Sequence, residues 1–263
     1  MFLENNKDGL IYMSSDKIAA KHAFTTRYGG VSEGIFSSFN LGSNRGDEPE
    51  KVRENYRRLC ELFGVGIDDC AVTNQVHENV VRIVTKEDRH VCQSKVPYEV
   101  DGIVTKEKGL PIICMIADCV PVLLWDGKNE VIGAIHCGWR SSVGDILKNA
   151  VDAMESLGAE AACIHAALGP AIGRCCFETD DDVPQAIEKY LGGDTEGLFD
   201  HRADGKTMVD LRAANARRLI QLGVLEENID ISEECTFCSH DKYWSHRYTK
   251  GNRGSQAAVI ALD

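Results

Sequence analysis

The chain has 263 residues, of which 43% are hydrophobic and 27% are charged, a mixture typical of a globular protein with a sizeable core. The 41 acidic residues outnumber the 29 basic ones, and the net charge of −12 disfavours binding to nucleic acid or to anionic membranes. A charged N-terminal segment, apolar runs of only strand length and eleven scattered cysteines predict a cytoplasmic protein with reduced thiols.

Predicted elements run along the whole chain without a repeat or linker, which favours one domain over residues 1–263. Apolar periodicity predicts helices at 47–63, 142–157, 182–191 and 210–222. Asp47 and Asp210 are the expected N-caps of the first and last of these helices. Strands are predicted at 71–77, 80–84, 112–116, 120–125, 131–136, 163–168, 229–231 and 257–262. The fold class is therefore α/β (mixed α+β), a single three-layer domain with a mixed sheet flanked by helices.

Three of the predicted strands end in residues that can bind a metal. One ends at His77, one runs into Asp118-Cys119 where Pro121 is expected to break the strand, and one ends at His136. Two imidazoles and a thiolate with an open fourth position are typical of a catalytic zinc site. Each residue alone is more often a buried thiol or a hydrogen-bonding histidine, so spacing leaves both interpretations open.

Other metal motifs are incomplete. The segment after His77 lacks the second histidine of a metalloprotease helix, and the cytidine deaminase signature is missing. Cys235 and Cys238 form a C-x-x-C pair, but no second pair lies at zinc-ribbon spacing. Two ordinary thiols are the favoured interpretation of that pair, and the vicinal Cys175–Cys176 receives no role.

Arginines stand beside glycines near both ends of the chain. Arg27 precedes Gly29-Gly30, while Arg247 and Arg253 lie in a second glycine-containing segment. Such segments can bring guanidinium and backbone N–H groups onto a phosphate, and tight turns with surface arginines are the alternative.

Together these motifs resemble the laccase-domain family, also called polyphenol oxidoreductases, which are regarded as purine nucleoside phosphorylases with adenosine deaminase side activity. The resemblance covers nearly the whole chain in order, through FTTRYGGVSEGIFSSFNLG, NQVH, EVDGIVT, ADCVPVLLWD, AIHCGWR, LGPAIGRCCFE, DLRAANARRLIQLG and CTFCSHDKYWSHR. It implies a mixed α/β layered fold. It also implies a zinc-dependent reaction of adenosine, inosine and methylthioadenosine with phosphate.

The resemblance assigns roles to individual residues. It implies that His77, Cys119 and His136 hold the metal and take part in catalysis, with Asp118 orienting a ligand or carrying a proton. Residues implied to bind substrate or phosphate are Arg27, Asn40, Arg247 and Arg253. The C-terminal motif here reads SHRY and KGNRG where the family has a second arginine and TGR, so Arg253 stands as a replacement.

Two alternatives remain open. The first is a copper-dependent polyphenol oxidase, because copper can occupy the same three ligands. The chain has eight histidines and no His-x-His pair, which disfavours a multicopper centre. The second is a non-enzymatic, zinc-stabilised interaction protein, which would need a fourth protein ligand. The preferred nucleoside and the oligomeric state are not predicted.

Overall fold

A computed structural model describes residues 1–43, 45–90 and 92–263. Within these ranges the strands are β1 Phe2–Lys7, β2 Leu10–Ser15, β3 Lys21–Thr25, β4 Ala71–Val72, β5 Val81–Ile83, β6 Gly102–Thr105, β7 Ile112–Ile116, β8 Val120–Asp126, β9 Val131–Cys137, β10 Ile164–Leu168, β11 Glu178–Thr179, β12 Phe199–His201, β13 Thr207–Val209, β14 Ile229–Ile231 and β15 Gln256–Ala261. The α-helices are α1 Pro49–Phe63, α2 Trp139–Val143, α3 Ile146–Ser156, α4 Asp182–Tyr190, α5 Leu211–Gln221 and α6 His246–Thr249. None of the helices in the described ranges is long and apolar enough to cross a membrane.

Two large mixed sheets form the centre of the fold. The first sheet has the strand order β1-β2-β3-β15-β7-β4, and the second has the order β14-β10-β8-β9-β6-β5. Each contains antiparallel pairs and at least one parallel pair, such as β4 with β7 and β5 with β6. A small third sheet contains β11, β13 and β12. The predicted mixed α+β class is confirmed, but two large sheets replace the single predicted sheet.

The two large sheets pack face to face, with helices on their outer faces. On β7, Ile112, Cys114 and Ile116 lie in the core between the sheets, together with Leu123 of β8. Ile113 points to the opposite face and packs with residues of α1. The outer face of the second sheet packs against α3, α4 and α5. The order is therefore helix, sheet, sheet, helix, four layers rather than three, and it explains why β7 and β8 are apolar on both faces.

The predicted strands at 112–116 and 229–231 are confirmed with the same ends. The strand predicted at 71–77 is wrong beyond Val72, where the chain leaves the first sheet and only a bridge at Asn74 follows. Pro121 does not break a strand, because it is the second residue of β8 and pairs with His136. The chain leaves the first sheet before Pro121, and Asp118, in the connection between β7 and β8, has a left-handed φ of 83°.

Two helix predictions need correction. The helix predicted at 142–157 is divided into α2 and α3, because Asp145 has a φ of 69° and its carboxylate binds Arg218. The N-cap of α1 is Glu48 rather than Asp47, whose side chain accepts hydrogen bonds from Ser32 and Asn40 instead. Asp210 is confirmed as the N-cap of α5, since it accepts the Ala213 N–H at 3.0 Å.

Candidate metal centre and cavity

The structure brings His77, Cys119 and His136 together although 59 residues separate the first from the last. Their ligand atoms lie within 4.8 Å of one another, and Cys119 Sγ is 4.0 Å from His77 Nε2. The two imidazole rings are nearly perpendicular, with centroids 5.0 Å apart. Because one thiolate and two imidazoles are ligands that zinc and copper both accept, these three residues can hold a metal ion.

The three ligands come from both sheets. His77 lies in the loop that follows β4 of the first sheet, and His136 is the penultimate residue of β9 in the second. Cys119 lies in the connection from β7 to β8, where the chain passes from one sheet to the other. His77 has a φ of 63°, a left-handed conformation that non-glycine residues rarely adopt and that is often found at functional sites.

Asp101 fixes the positions of His77 and His136, and it was not among the predicted site residues. Its carboxylate is fully buried and lies 2.7 Å from His136 Nδ1. It also accepts the backbone N–H groups of Val76, His77 and Glu78 at 2.9 to 3.1 Å. The contact with Nδ1 leaves His136 Nε2 free for a metal, which is the usual arrangement of a carboxylate behind a metal-binding histidine. The sequence signals were an aspartate directly before the apolar strand β6 and its place in the EVDGIVT motif, to which no role was assigned.

The electrostatic surroundings of the ligands favour a thiolate at Cys119 beside an imidazolium at His136. Burial raises the pKa of the Cys119 thiol, but the neighbouring His136 and His77 outweigh this effect and bring the pKa down to about 6. Burial lowers the pKa of His136, whereas Cys119 and Asp101 raise it to about 9. The thiolate form required of a metal ligand is therefore present at neutral pH, and metal binding releases the imidazolium proton.

The three ligands line a cavity of about 810 Å³, large enough for a nucleoside-sized molecule. Part of its wall is apolar and is formed by Tyr56, Met115, Ile172 and Phe177. Sequence reasoning did not assign any of these four to the site, because apolar residues that line a cavity and apolar residues of the core follow the same periodicity.

A cluster of cationic side chains lines the same cavity: Arg45, Arg247 and Arg253. His246 lies beside them, and burial together with the nearby arginines lowers its pKa. Arg253 Nη1 donates to the Gly254 carbonyl and to Ser255 Oγ, while its buried Nε has no partner among the described residues. Burial, and then the nearby Arg45, lowers the pKa of Arg253 to about 10. The guanidinium is thus charged at neutral pH and can bind an anion in the cavity. Arg247 and Arg253 were predicted; Arg45 and His246 were missed.

Asp118 lines the cavity beside Cys119 and hydrogen-bonds to the C-terminal segment. Its carboxylate accepts Thr236 Oγ1 at 2.6 Å, Ser245 Oγ at 3.1 Å and the Arg247 N–H at 2.6 Å. With both oxygens engaged, Asp118 holds α6, and with it Arg247, beside Cys119.

Arg27 and Asn40 are not among the residues that line the cavity. Arg27 donates to the carbonyls of Ser37 and His240, and its guanidinium stacks 4.0 Å from the Trp244 ring. Asn40 is fully buried and accepts the N–H groups of Gly42 and Ser255. Asn40 therefore supports the 253–255 segment, and Arg27 joins the loop at Ser37 to the segment that contains His240 and Trp244.

Comparison with known proteins places the chain in a family. Residues 21–263 match the family model described as multi-copper polyphenol oxidoreductase laccase. A purine nucleoside phosphorylase of Corynebacterium glutamicum is 34% identical over 242 residues, which are 92% of this chain and 94% of that protein. Adenosine deaminase RL5, from an unknown prokaryotic organism, is 34% identical over 236 residues, covering 88% and 90% of the two chains.

A solved structure agrees with these matches. YlmD of Geobacillus stearothermophilus superposes with a TM-score of 0.92 at 31% sequence identity, covering 98% of this chain and 97% of that one. The resemblance seen in the sequence motifs is therefore confirmed, and the chain belongs to the multi-copper polyphenol oxidoreductase laccase family.

Proposed function

We propose that this protein is a zinc-dependent purine nucleoside phosphorylase that also deaminates adenosine. Its proposed substrates are adenosine, inosine and methylthioadenosine, which react with phosphate to give the free base and the pentose 1-phosphate. The names of the relatives support both activities. The observation that carries the proposal is that one cavity contains both the His77–Cys119–His136 ligand set and a cluster of cationic side chains.

In phosphorolysis, a phosphate oxygen bonds to C1′ of the pentose while the bond from C1′ to the base breaks, and the base leaves with the electron pair. Arg247 and Arg253 bind the phosphate dianion, and Arg45 adds positive charge at the cavity wall. The arginines position the nucleophile, and the phosphate dianion that they hold stabilises the positive charge that develops at C1′. Tyr56, Met115 and Phe177 offer an apolar surface on which the purine ring can pack.

His77, Cys119 and His136 hold the zinc ion, and Asp101 orients His136. When bound, zinc would supply Lewis acidity at neutral pH. This suits deamination, in which a water oxygen bonds to C6 of adenosine while the bond from C6 to the amino nitrogen breaks and ammonia leaves. Asp118 contributes through position, since its three hydrogen bonds fix α6 and therefore the phosphate-binding residues. Asp118 also lines the cavity, and its role as a proton carrier stays a prediction.

Copper oxidation of phenols has less support. The described residues contain two groups with potential metal-ligand geometry, and only one of them includes histidine. A multicopper oxidase needs several histidine-rich centres, so copper in this site would be an alternative occupant rather than a sign of that chemistry. A zinc-stabilised interaction protein would need a fourth ligand beside His77, Cys119 and His136, and that group has three members in the described part of the chain.

We also propose a cytoplasmic location, which the eleven free thiols support. The strongly negative net charge supports small-molecule rather than nucleic-acid or membrane partners.

The test is to incubate the zinc-loaded protein with adenosine, with and without phosphate, and to separate the products by chromatography. Adenine and ribose 1-phosphate that require phosphate, together with inosine that does not, support both activities. Cys119→Ala should lose both. Cys163→Ala is the matched control, because Cys163 is a partly exposed thiol that does not line the cavity. A folded, zinc-loaded protein that makes none of these products would refute the proposal.

A further inference from the structure

Four cysteines meet outside the cavity, on two loops that are distant in sequence. Cys175 and Cys176 lie in the loop after β10, and Cys235 and Cys238 lie in the loop after β14. All four sulfur atoms lie within 4.8 Å of one another. Cys238 Sγ is 3.6 Å from Cys175 Sγ and 3.4 Å from Cys176 Sγ. Sequence spacing did not predict this cluster, because about 60 residues separate the two pairs.

The separations match the geometry of a tetrathiolate metal site. Zinc–sulfur bonds of about 2.3 Å in a tetrahedron place the sulfur atoms about 3.8 Å apart. The separations of Cys238 Sγ from Cys175 Sγ and Cys176 Sγ are already near that distance, and all the others, including those of Cys235, are within about 1 Å of it or shorter. Four cysteines are the most common ligand set of structural zinc, and soft thiolates favour zinc over the hard divalent cations.

Backbone hydrogen bonds hold the two loops together beside the cluster. Ala171 and Cys235 form a parallel bridge, in which the Thr236 N–H donates to the Ala171 carbonyl at 3.0 Å. The Gly173 N–H points at Cys235 Sγ at 3.2 Å, a hydrogen bond that stabilises a thiolate. A side-chain carbon at Gly173 would lie 3.1 Å from Arg212 Nη2 and 3.3 Å from Cys175 Sγ, so the guanidinium packs close to the cluster.

The charge around the cluster is also compatible with a tetrathiolate zinc site. Zinc bound by four thiolates carries two negative charges, and the four thiol protons pass to the solvent on binding. The buried Arg212, which donates to the carbonyls of Ser232 and Glu234, offsets part of that charge. Cys175 and Cys238 are exposed, so a metal can enter from solvent without unfolding of the chain.

We propose that Cys175, Cys176, Cys235 and Cys238 form a second, structural zinc site. The site joins the 169–177 loop to the 232–248 segment.

These two segments carry part of the cavity wall. Thr236, next to Cys235, donates to Asp118, and the Ile172 N–H donates to the Asp118 carbonyl at 2.9 Å. Phe177, next to Cys176, lines the cavity itself. The second zinc therefore stabilises the position of Asp118 and α6 without touching substrate, and its presence does not depend on which reaction the cavity performs.

The experiment measures the number of zinc ions bound per protein chain by elemental mass spectrometry. The full chain is purified under reducing and metal-controlled conditions. The wild type should hold about two zinc ions, one for each ligand set. His77→Ala should hold about one, and Cys175→Ser with Cys238→Ser should also hold about one. Cys163→Ser, a thiol outside both clusters, should hold as much as the wild type. A His77→Ala protein without zinc would overturn the proposal.

A second measurement covers the case in which the double cysteine variant does not fold. Cobalt is loaded into His77→Ala, which keeps all four cysteines of the cluster. Tetrathiolate coordination gives intense thiolate-to-cobalt charge-transfer absorption. The absorption per bound cobalt in His77→Ala should be that of a site with four thiolate ligands. No such band, or a disulfide that joins Cys238 to Cys175 or Cys176 in freshly reduced protein, would refute the metal site and indicate a redox pair instead.

Discussion

Replacing Asp101 by asparagine tests how the metal centre is held. The carboxylate is fully buried, lies 2.7 Å from His136 Nδ1 and accepts three backbone N–H groups of the loop that carries His77. Asparagine keeps one acceptor but replaces the other with an NH₂ group that faces these donors. It also removes the charge that raises the pKa of His136.

The expected magnitude follows from those contacts. Loss of a carboxylate behind a metal-binding histidine typically weakens metal affinity by 10- to 100-fold, which is about 1.4 to 2.8 kcal/mol. Because buried N–H groups of Val76, His77 and Glu78 lose a charged acceptor, the metal-free variant should also lose about 3 kcal/mol of unfolding free energy.

The assay is zinc competition against a chromophoric chelator, combined with denaturant unfolding. Asp126→Asn is the matched control, since Asp126 is equally buried and accepts the N–H groups of Lys128, Asn129 and Glu160 far from the ligands. It should lose stability and keep its zinc affinity. A folded Asp101→Asn protein with wild-type zinc affinity would refute the role assigned to Asp101.

Three further outcomes are expected. In steady-state kinetics, Arg253→Met should raise the KM for phosphate by about 10- to 100-fold, because a charged hydrogen bond is worth about 1.5–3 kcal/mol. The KM for nucleoside should rise less. An equal rise in the two KM values would argue against a phosphate site at Arg253. Burial lowers the pKa of His22, whose Nε2 accepts the Ser15 N–H at 2.8 Å, so the unfolded chain binds the extra proton. The free energy of unfolding should therefore fall as the pH drops below about 6.5, and His22→Gln should flatten this slope in denaturant titrations; an unchanged slope would contradict the assignment. Gly138→Ala should weaken zinc binding in the chelator assay, because the added carbon would lie 3.0 Å from His77 Cδ2, and unchanged affinity would show that the ring can move freely.

The sequence predicted strands that are marked by an apolar run between turn residues and missed others, including the fully buried β6. β7 was placed with correct ends because its apolar run lies between Pro111 and Asp118. β1 carries four exposed residues out of six at the edge of the first sheet, so it has no clear alternating pattern. The division between α2 and α3 depends on a left-handed Asp145, and aspartate is also common within helices.

The site was predictable to the extent that each ligand follows or ends an apolar strand. Asp101 was missed because a single buried carboxylate has no spacing rule, and its partners come from two other segments. Arg27 and Asn40 were assigned from the resemblance to the family. The structure places both outside the cavity wall, hydrogen-bonded to backbone groups, and their role in binding substrate or phosphate stays a prediction.

The position of Cys119 between the two sheets has a mechanical consequence. Because His77 follows a strand of one sheet and His136 lies in the other, sliding of the sheets past each other would change every distance among the three ligands. A bound ion therefore opposes shear between the sheets. The metal should therefore slow hydrogen exchange of the backbone amides in β4 and β7 of the first sheet and in β9 of the second sheet at the same time.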